Sequence, residues 1–570
     1  MHVTRRLNRR MEKPKTKANS VPSRRDFLKT GATAGVGATT LTALTPNTAE
    51  AQNYWDLSTD FVTIGAGTAG LAAAVSALDH GASVIMVEEN VDIGGHGMCS
   101  GGQVHLGGGT SNQEQHGVTD SAEQVFIDWV RHDHGQSRYS DRELVRTFAD
   151  ENAPTFEFLL ENGVQFQDHL TGPTGASTVR RQQRTVQWPV ASERVTDYPT
   201  RVGSGLVRAL ETSARAKGVD IRLRHKMTSI VREGPHSGRV LGVTALHEGR
   251  TVNIRARKGV LIATGGSSSN VTLRRTFDPR LTEEYQVAGE PWSRQSGDGE
   301  LAALDIGAGL WATANQTAES GIAISKTRHI GCRYGYNSLI WGEEYLSGSA
   351  LGRRVFESAR ASGLTVTNWQ EVILVNQVGR RFWNELDARY DFFAAAMAYN
   401  GNSARPNGGG PIWAIFDSDA VTREEWDPRP PNIDPDGYFF TADTIAELAG
   451  RITNPYQAKP MSGAVLQETV SRYNSFVDQG EDPDFQKPNP RYKIQTPPFF
   501  AAWSTPILHD SLTGLRTNTR AQVIDTRGQV IPGLYCAGES QGGFAQHGLG
   551  RCLVFGRIAG RDAAVNGGNV

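Results

Sequence analysis

Gly65, Gly67 and Gly70 form a G-x-G-x-x-G set, and Glu88 and Glu89 follow 18 and 19 residues after the last glycine. That spacing makes a tight turn, lets backbone approach a pyrophosphate and lets a helix pack close to a strand. The helix N-terminus behind it presents unpaired N–H groups and a positive dipole end. Glu88 is placed to accept hydrogen bonds from a ribose. The chemistry is dinucleotide binding. A second set lies downstream, where His547 and Arg551 are four residues apart. On a helix start both would project to one side, as a substrate or proton-transfer pair or as support for a cofactor. His96 stands between the pairs Gly94-Gly95 and Gly101-Gly102. Arg180, Arg181 and Arg184 form a run that suits a solvated loop or an acidic ligand.

These residues need a frame. Phe61 to Ile64 reads as a buried strand, the Ala-rich stretch after Gly70 as a helix, and the apolar run before Glu88 as a second strand. Gly259 to Gly266 and Gln529 to Glu539 again end apolar runs in glycines, and a helical Leu553 to Ala564 follows. If the chain returns to its first domain, the three endings converge at the carboxyl edge of a parallel sheet. Doubly wound sheets bind ligands there. The fold class expected is α/β, Rossmann-like.

The first residues say where such a site works. Ser23-Arg24-Arg25-Asp26-Phe27-Leu28-Lys29 resembles the twin-arginine export motif, with a Gly/Ala/Thr-rich stretch behind it and a small-x-small site at Ala49-Glu50-Ala51. The apolar stretch is too short to span a bilayer. Cleavage after Ala51 would change the formal charge from −1 to about −8, since the leader carries most of the excess of basic over acidic residues. No bulk basic character then points to nucleic acid or to an anionic membrane. Cys99, Cys332, Cys536 and Cys552 are scattered with no CxxC. That argues against an iron–sulfur cluster, a zinc site or attached haem, and no metal site is expected.

Together the segments GAGTAGLAAA, VEEN…GGHGMCSGG, VLIATGG, SGDGELAALDIGAGL, VNQVGRRFWNE and IPGLYCAGE…VFGRIAG resemble the flavoproteins that include fumarate reductases, succinate dehydrogenase flavoprotein subunits and 3-ketosteroid dehydrogenases. The likeness runs from Asp60 to about Ala564. It implies FAD, an FAD-binding domain in two parts (52–317 and 504–570) after a 1–51 signal peptide, and an inserted α+β capping domain at 318–503. It implies that Gly65, Gly67 and Gly70 hold the pyrophosphate, Glu88 the adenosine ribose and Glu539 the ribityl chain. Gly548 and Leu549, at the last helix N-terminus, would face the flavin pyrimidine. Ala69, Gly94, Gly95, His96, Gly101, Gly102, Thr228, Gly265 and Asp298 complete the implied cofactor wall. His96 occupies the position where some members attach FAD covalently; a hydrogen bond or a bystander role are the other readings.

For catalysis the resemblance implies His509, which precedes Thr513-Gly514 where relatives have Gly-Gly, as a group that binds or polarises a substrate oxygen. It also implies Glu385 and Arg389 as a proton relay, although an i,i+4 ion pair reads equally well. Two positions depart from the family. Its acid-donating arginine is Val421 here, with Arg423 two residues on. The dicarboxylate-binding NR…GGNA segment is about six residues shorter and offers His547 and Arg551 instead. Both departures argue against fumarate itself. The capping segment should hold strands at Val372 to Val375 and Ile412 to Phe416, a helix at Asp391 to Tyr399, and a surface loop at Asp427 to Gly437. Trp341, Trp369, Trp383, Trp413, Trp426 and Trp503 read as its core or as an aromatic pocket.

The expectation is an exported FAD-dependent oxidoreductase moving hydride between flavin N5 and carbon, across a C–C bond next to a carbonyl or carboxylate. Alcohol or amine oxidation, and a flavin electron carrier without turnover, are the alternatives. No second strand-bounded G-x-G-x-x-G suggests an NAD(P)H domain, so the electron partner expected is a cytochrome, a quinone or oxygen.

Overall fold

The computed structural model describes residues 54–131, 139–173, 177–195, 202–279, 281–290, 292–313, 322–326, 328–333, 363–387, 410–457, 459–546 and 548–568. The leader, Trp341, Arg389, the helix expected at Asp391 to Tyr399 and His547 lie outside them.

Five parallel strands form the heart of an eight-stranded sheet. β1 (Leu57–Ile64) lies between β2 (Val84–Val87) and β3 (Arg250–Ile262). Beyond β3 comes β5 (Val530–Cys536), and β4 (Ile507–Ser511) belongs to a small separate sheet. Phe61, Val62 and Ile64 of β1 are buried, as are Val260, Leu261 and Ile262 of β3. Such continuous apolar runs are what parallel strands covered on both faces require. The return of the chain to its first domain is thus an observed register, with Leu534, Tyr535 and Cys536 opposite Val260, Leu261 and Ile262.

Helix α1 (Thr68–Asp79) is buried from Thr68 through Ala77, since the sheet covers one side and α4 (Leu549–Asn566) the other. The two helices touch along a seam of small residues. A Cβ on Gly556 would stand 2.4 Å from the Ala69 carbonyl oxygen, and one on Gly560 would stand 2.1 Å from that of Ala73. Both N-termini therefore reach the same edge of the sheet. Two shorter helices, α2 (Gly95–Cys99) and α3 (Asp298–Asp305), also end there.

Between these segments a second, antiparallel sheet orders Ile373–Val375, Trp413–Asp417, Phe499–Trp503 and Phe439–Ala442. Its two strands at 373–375 and 413–417 answer the sequence expectation. Trp413 and Trp503 pack within the core on one face, and Trp369, Trp383 and Trp426 against the core on the other. The described tryptophans of this segment belong to the sheet core and are not on the wall of the cavity described below. All four cysteines are buried. No helix among the described residues is long and apolar enough to cross a membrane, and none of their His, Cys, Asp and Glu side chains group to hold a metal.

Candidate active site at the carboxyl edge of the sheet

A cavity of about 600 Å³ opens where β1, β3 and β5 end. Gly65 follows β1, Ala263 to Gly265 follow β3, and Gly538 and Glu539 follow β5, and all of them line it. Gly65 has φ +96°, and a Cβ there would lie 2.3 Å from the Ala263 carbonyl oxygen. Gly70 does not reach the cavity. Its missing Cβ would sit 2.0 Å from the Gly65 carbonyl oxygen, so it sets how closely α1 approaches the turn. Gly67, Ala69, Gly94, Gly95, Gly101, Gly548 and Leu549 are on the wall. Gly102 is instead a packing position against Thr185 and Val202.

The lining suits a flavin dinucleotide. Helices α1 and α4 begin at Gly67 and Gly548, neither of which caps with a side chain, and neither helix has an acid in its first turn. On α4 the Gln546 Oε1 accepts the Arg551 N–H at 2.6 Å, and the earlier N–H groups of both helices are left for an anion. Thr68 Oγ1 is buried without a partner beside the first of them. At Gly265 and Gly548 a Cβ would meet nothing within 4 Å, so bare backbone faces the open space. Glu88 accepts from the Ala66 N–H at 2.7 Å and the Asn90 N–H at 2.9 Å. Burial pushes its carboxyl above the usual range against those two donors. Lys226 bridges Glu89 at 3.2 Å and Asp298 at 2.6 Å across the same end of the cavity.

The other end holds a polar cluster. His509, on β4, places Nδ1 2.7 Å from Asp510 Oδ1. The His96 ring, on α2, is 5.5 Å from the His509 ring, centroid to centroid. Gln295 donates from Nε2 to His96 Nδ1 at 2.9 Å and to Glu539 Oε2 at 3.1 Å. Glu539 also accepts from the Ser511 N–H at 3.2 Å. Burial first, and then the nearby Asp510 charge, raise its carboxyl well above the ordinary carboxylate range. His96 thereby has a hydrogen-bond partner within the protein.

Several expectations need correction. Thr228 is exposed, with Oγ1 donating to the Thr244 carbonyl at 3.2 Å. Its neighbours Lys226 and Met227 line the cavity instead. Arg551 is 1 % exposed and donates to the carbonyls of Phe544 at 3.0 Å and Ser511 at 2.6 Å. Those contacts brace the wall from behind it. The helix starts only at Leu549, so helical spacing does not pair Arg551 with position 547. Glu385 sits in a turn beneath the second sheet and off the cavity wall. Its carboxylate meets Arg381 at 2.9 Å and Lys487 at 3.3 Å, and Arg381 also meets Asp482 at 2.9 Å. Burial opposes ionisation there, yet Lys487 and Arg381 hold Glu385 down at about 2. Arg423 pairs with Glu371 at 2.7 Å and covers Tyr492, and Val421 packs on the sheet core, so no register shift brings Arg423 to the cavity. Arg181 is neither solvated nor ligand-facing, being buried between Asp120 and Asp128 at 2.7 Å each.

The structure adds residues that sequence reasoning passed over. Asp510 was legible as the neighbour of His509. Trp292, which donates to the Gly95 carbonyl at 3.0 Å, and Gln295 come from an irregular loop with no periodic signal.

A 28% identity over 516 residues, 89% of this chain and 77% of the relative, links it to a fumarate reductase (cytochrome) of Shewanella frigidimarina. The acrylate reductase flavoprotein subunit of Shewanella woodyi is 27% identical over 94% of this chain and 97% of its own length. Among solved structures, the open conformation of a flavocytochrome c3 fumarate reductase matches with a TM-score of 0.63 and 25% identity, over 90% of this chain and 78% of that one. The FAD-binding domain family matches residues 60–550. With glycine-tipped strands, two helix starts on the cavity wall and an acid after the second strand, this chain belongs to the FAD-binding domain family and takes FAD as its cofactor.

Proposed function

We propose that the protein is an FAD-dependent reductase of carbon–carbon double bonds conjugated to a carboxylate or carbonyl. When bound, the flavin supplies hydride at N5. The observation that carries the reading is His509 on the wall of the cofactor cavity, backed by Asp510. A histidine there can present a single N–H to a bound substrate, as a hydrogen-bond donor or as an acid. The first turns of α1 and α4 bind the phosphates and face the flavin ring, Glu88 holds the ribose and Glu539 the ribityl hydroxyls. Reductases of fumarate and of acrylate among the relatives support this chemistry. Val421, in place of an acid-donating arginine, favours a monocarboxylate or ketone over a dicarboxylate. The sequence segment 318–503 is read as the lid domain over this site. Electrons arrive from a separate redox protein or quinone, and the twin-arginine leader exports the folded holoenzyme.

Anaerobic photoreduction followed by addition of acrylate, cinnamate, cyclohexenone, fumarate or trimethylamine N-oxide tests it. Rapid reoxidation by an enoate or enone is expected. Failure of every alkene to reoxidise the flavin refutes the reading.

A further inference from the structure

We propose that His509, charged and oriented by Asp510, is the acid that delivers the proton to the α-carbon of the substrate. This rests on the reductase reading above. Reduction of a conjugated alkene needs a hydride at the β-carbon and a proton at the α-carbon. Reduced flavin, when bound, would supply the hydride, and the π electron pair would move onto the α-carbon. A new C–H bond forms there while the Nε2–H bond of the imidazolium breaks, and its electron pair stays on the ring as neutral histidine. The alkene gains two electrons and the flavin loses two, to be restored by the external donor. Solvent reprotonates His509.

Of the four described histidines on the cavity wall, His96, His105, His225 and His509, His96 and His509 lie ring to ring, and their surroundings separate them. His96 is backed by the Gln295 amide, whose Nε2 donates to Nδ1 at 2.9 Å. An amide donor favours a neutral ring. The carboxyl of Glu539, 3.8 Å from His96 Nδ1, is itself pushed toward its neutral form by burial and does little to charge it. His509 instead places Nδ1 2.7 Å from Asp510 Oδ1, and Asp510 is 2 % exposed. A buried carboxylate at that distance favours the imidazolium. With Nδ1 committed to Asp510, Nε2 carries the transferable proton. Asp510 is a positioning residue; His509 is the catalytic one.

Among the described residues, the following groups lie near His509. Its strand is flanked by Gln286–Val287 and Ile322–Ser325, and neither carries a titratable residue. His96 faces it from α2, Glu539 from the turn after β5, and Arg551 of α4 stands behind the Ser511 carbonyl. Arg294 is also on the cavity wall. Arg423 is tied to Glu371 away from this region, so Arg423→Gln should reoxidise as wild type does.

Stopped-flow reoxidation of the photoreduced holoenzyme by acrylate, cinnamate and cyclohexenone decides the matter. His509→Gln should keep its FAD and photoreduce normally, yet reoxidise at least about 100-fold more slowly. Asp510→Asn should lower kcat more than it raises KM. It should also move the high-pH fall of kcat to lower pH, because the imidazolium loses its carboxylate. A His509→Gln protein that reoxidises within threefold of wild type overturns the proposal, as does an Asp510→Asn protein with an unmoved pH limb. Should His509→Gln lose FAD, the Asp510→Asn limb decides alone. Wild-type protein that no alkene reoxidises removes the reductase reading, and this assignment with it; alkene-reactive wild type with unaffected variants removes only the assignment.

Discussion

Glu300, on α3, is 1 % exposed, and burial raises its carboxyl from 4.5 to about 7. A carboxyl whose folded value lies above its unfolded value costs nothing while both states are protonated, below about pH 4.5. The cost grows as pH rises and is complete above about pH 7. Its ceiling is on the order of 3 kcal/mol. Stability should therefore decline between pH 5 and 8, and Glu300→Gln should flatten the decline. Urea midpoints of both proteins at the two ends of that range check this. Thr264, whose Oγ1 lies 3.4 Å from the Glu300 carboxylate, also lines the cavity, so this buried carboxyl sits just behind the cavity wall.

At the scale of elements, the α1–α4 seam sets the site. Gly560→Ala would drive a Cβ into the Ala73 carbonyl oxygen, and the helices must part. We expect a loss of about 1–3 kcal/mol, as for other overpacked contacts. We also expect weaker FAD retention, since α4 carries Gly548 and Leu549; thermal melts and flavin released on dilution measure the two effects. Glycine-tipped strands were legible in the sequence because a glycine turn and an apolar run are local signals. Thr228 was misread because it lies just past Lys226 and Met227, which line the cavity, at an irregularity of the strand pairing between Met227 and Ser229 that no local pattern shows. Glu385 was misread because four-residue spacing presumes a helix. The segment is a turn, and its decisive partner, Lys487, lies about 100 residues away in sequence. Trp292 reaches the cavity wall, and Gln295 braces His96 and Glu539 on it, through tertiary contacts that no pattern encodes.

Taken whole, the molecule is a sheet whose strands do not follow chain order. β5 is inserted beside β3, opposite residues some 274 positions earlier, and α4 then covers α1. Removing residues 537–570 should leave a chain that cannot hold FAD, because Glu539 and the α4 N-terminus go with it. Absorbance of the purified truncation near 450 nm, compared with that of the full chain, tests this. The architecture was anticipated because three glycine endings have one natural meeting place in a parallel sheet.

That interleaving has a consequence for biosynthesis. Chains fold from the N-terminus as they emerge from the ribosome, but here β3 must wait for its neighbour β5, which is translated some 274 residues later. The nucleotide cannot be gripped from both ends until Leu549 and the turns after it have left the exit tunnel. Flavin capture is thus a late event in the life of each molecule, and the same step that seals the cofactor in place completes the fold.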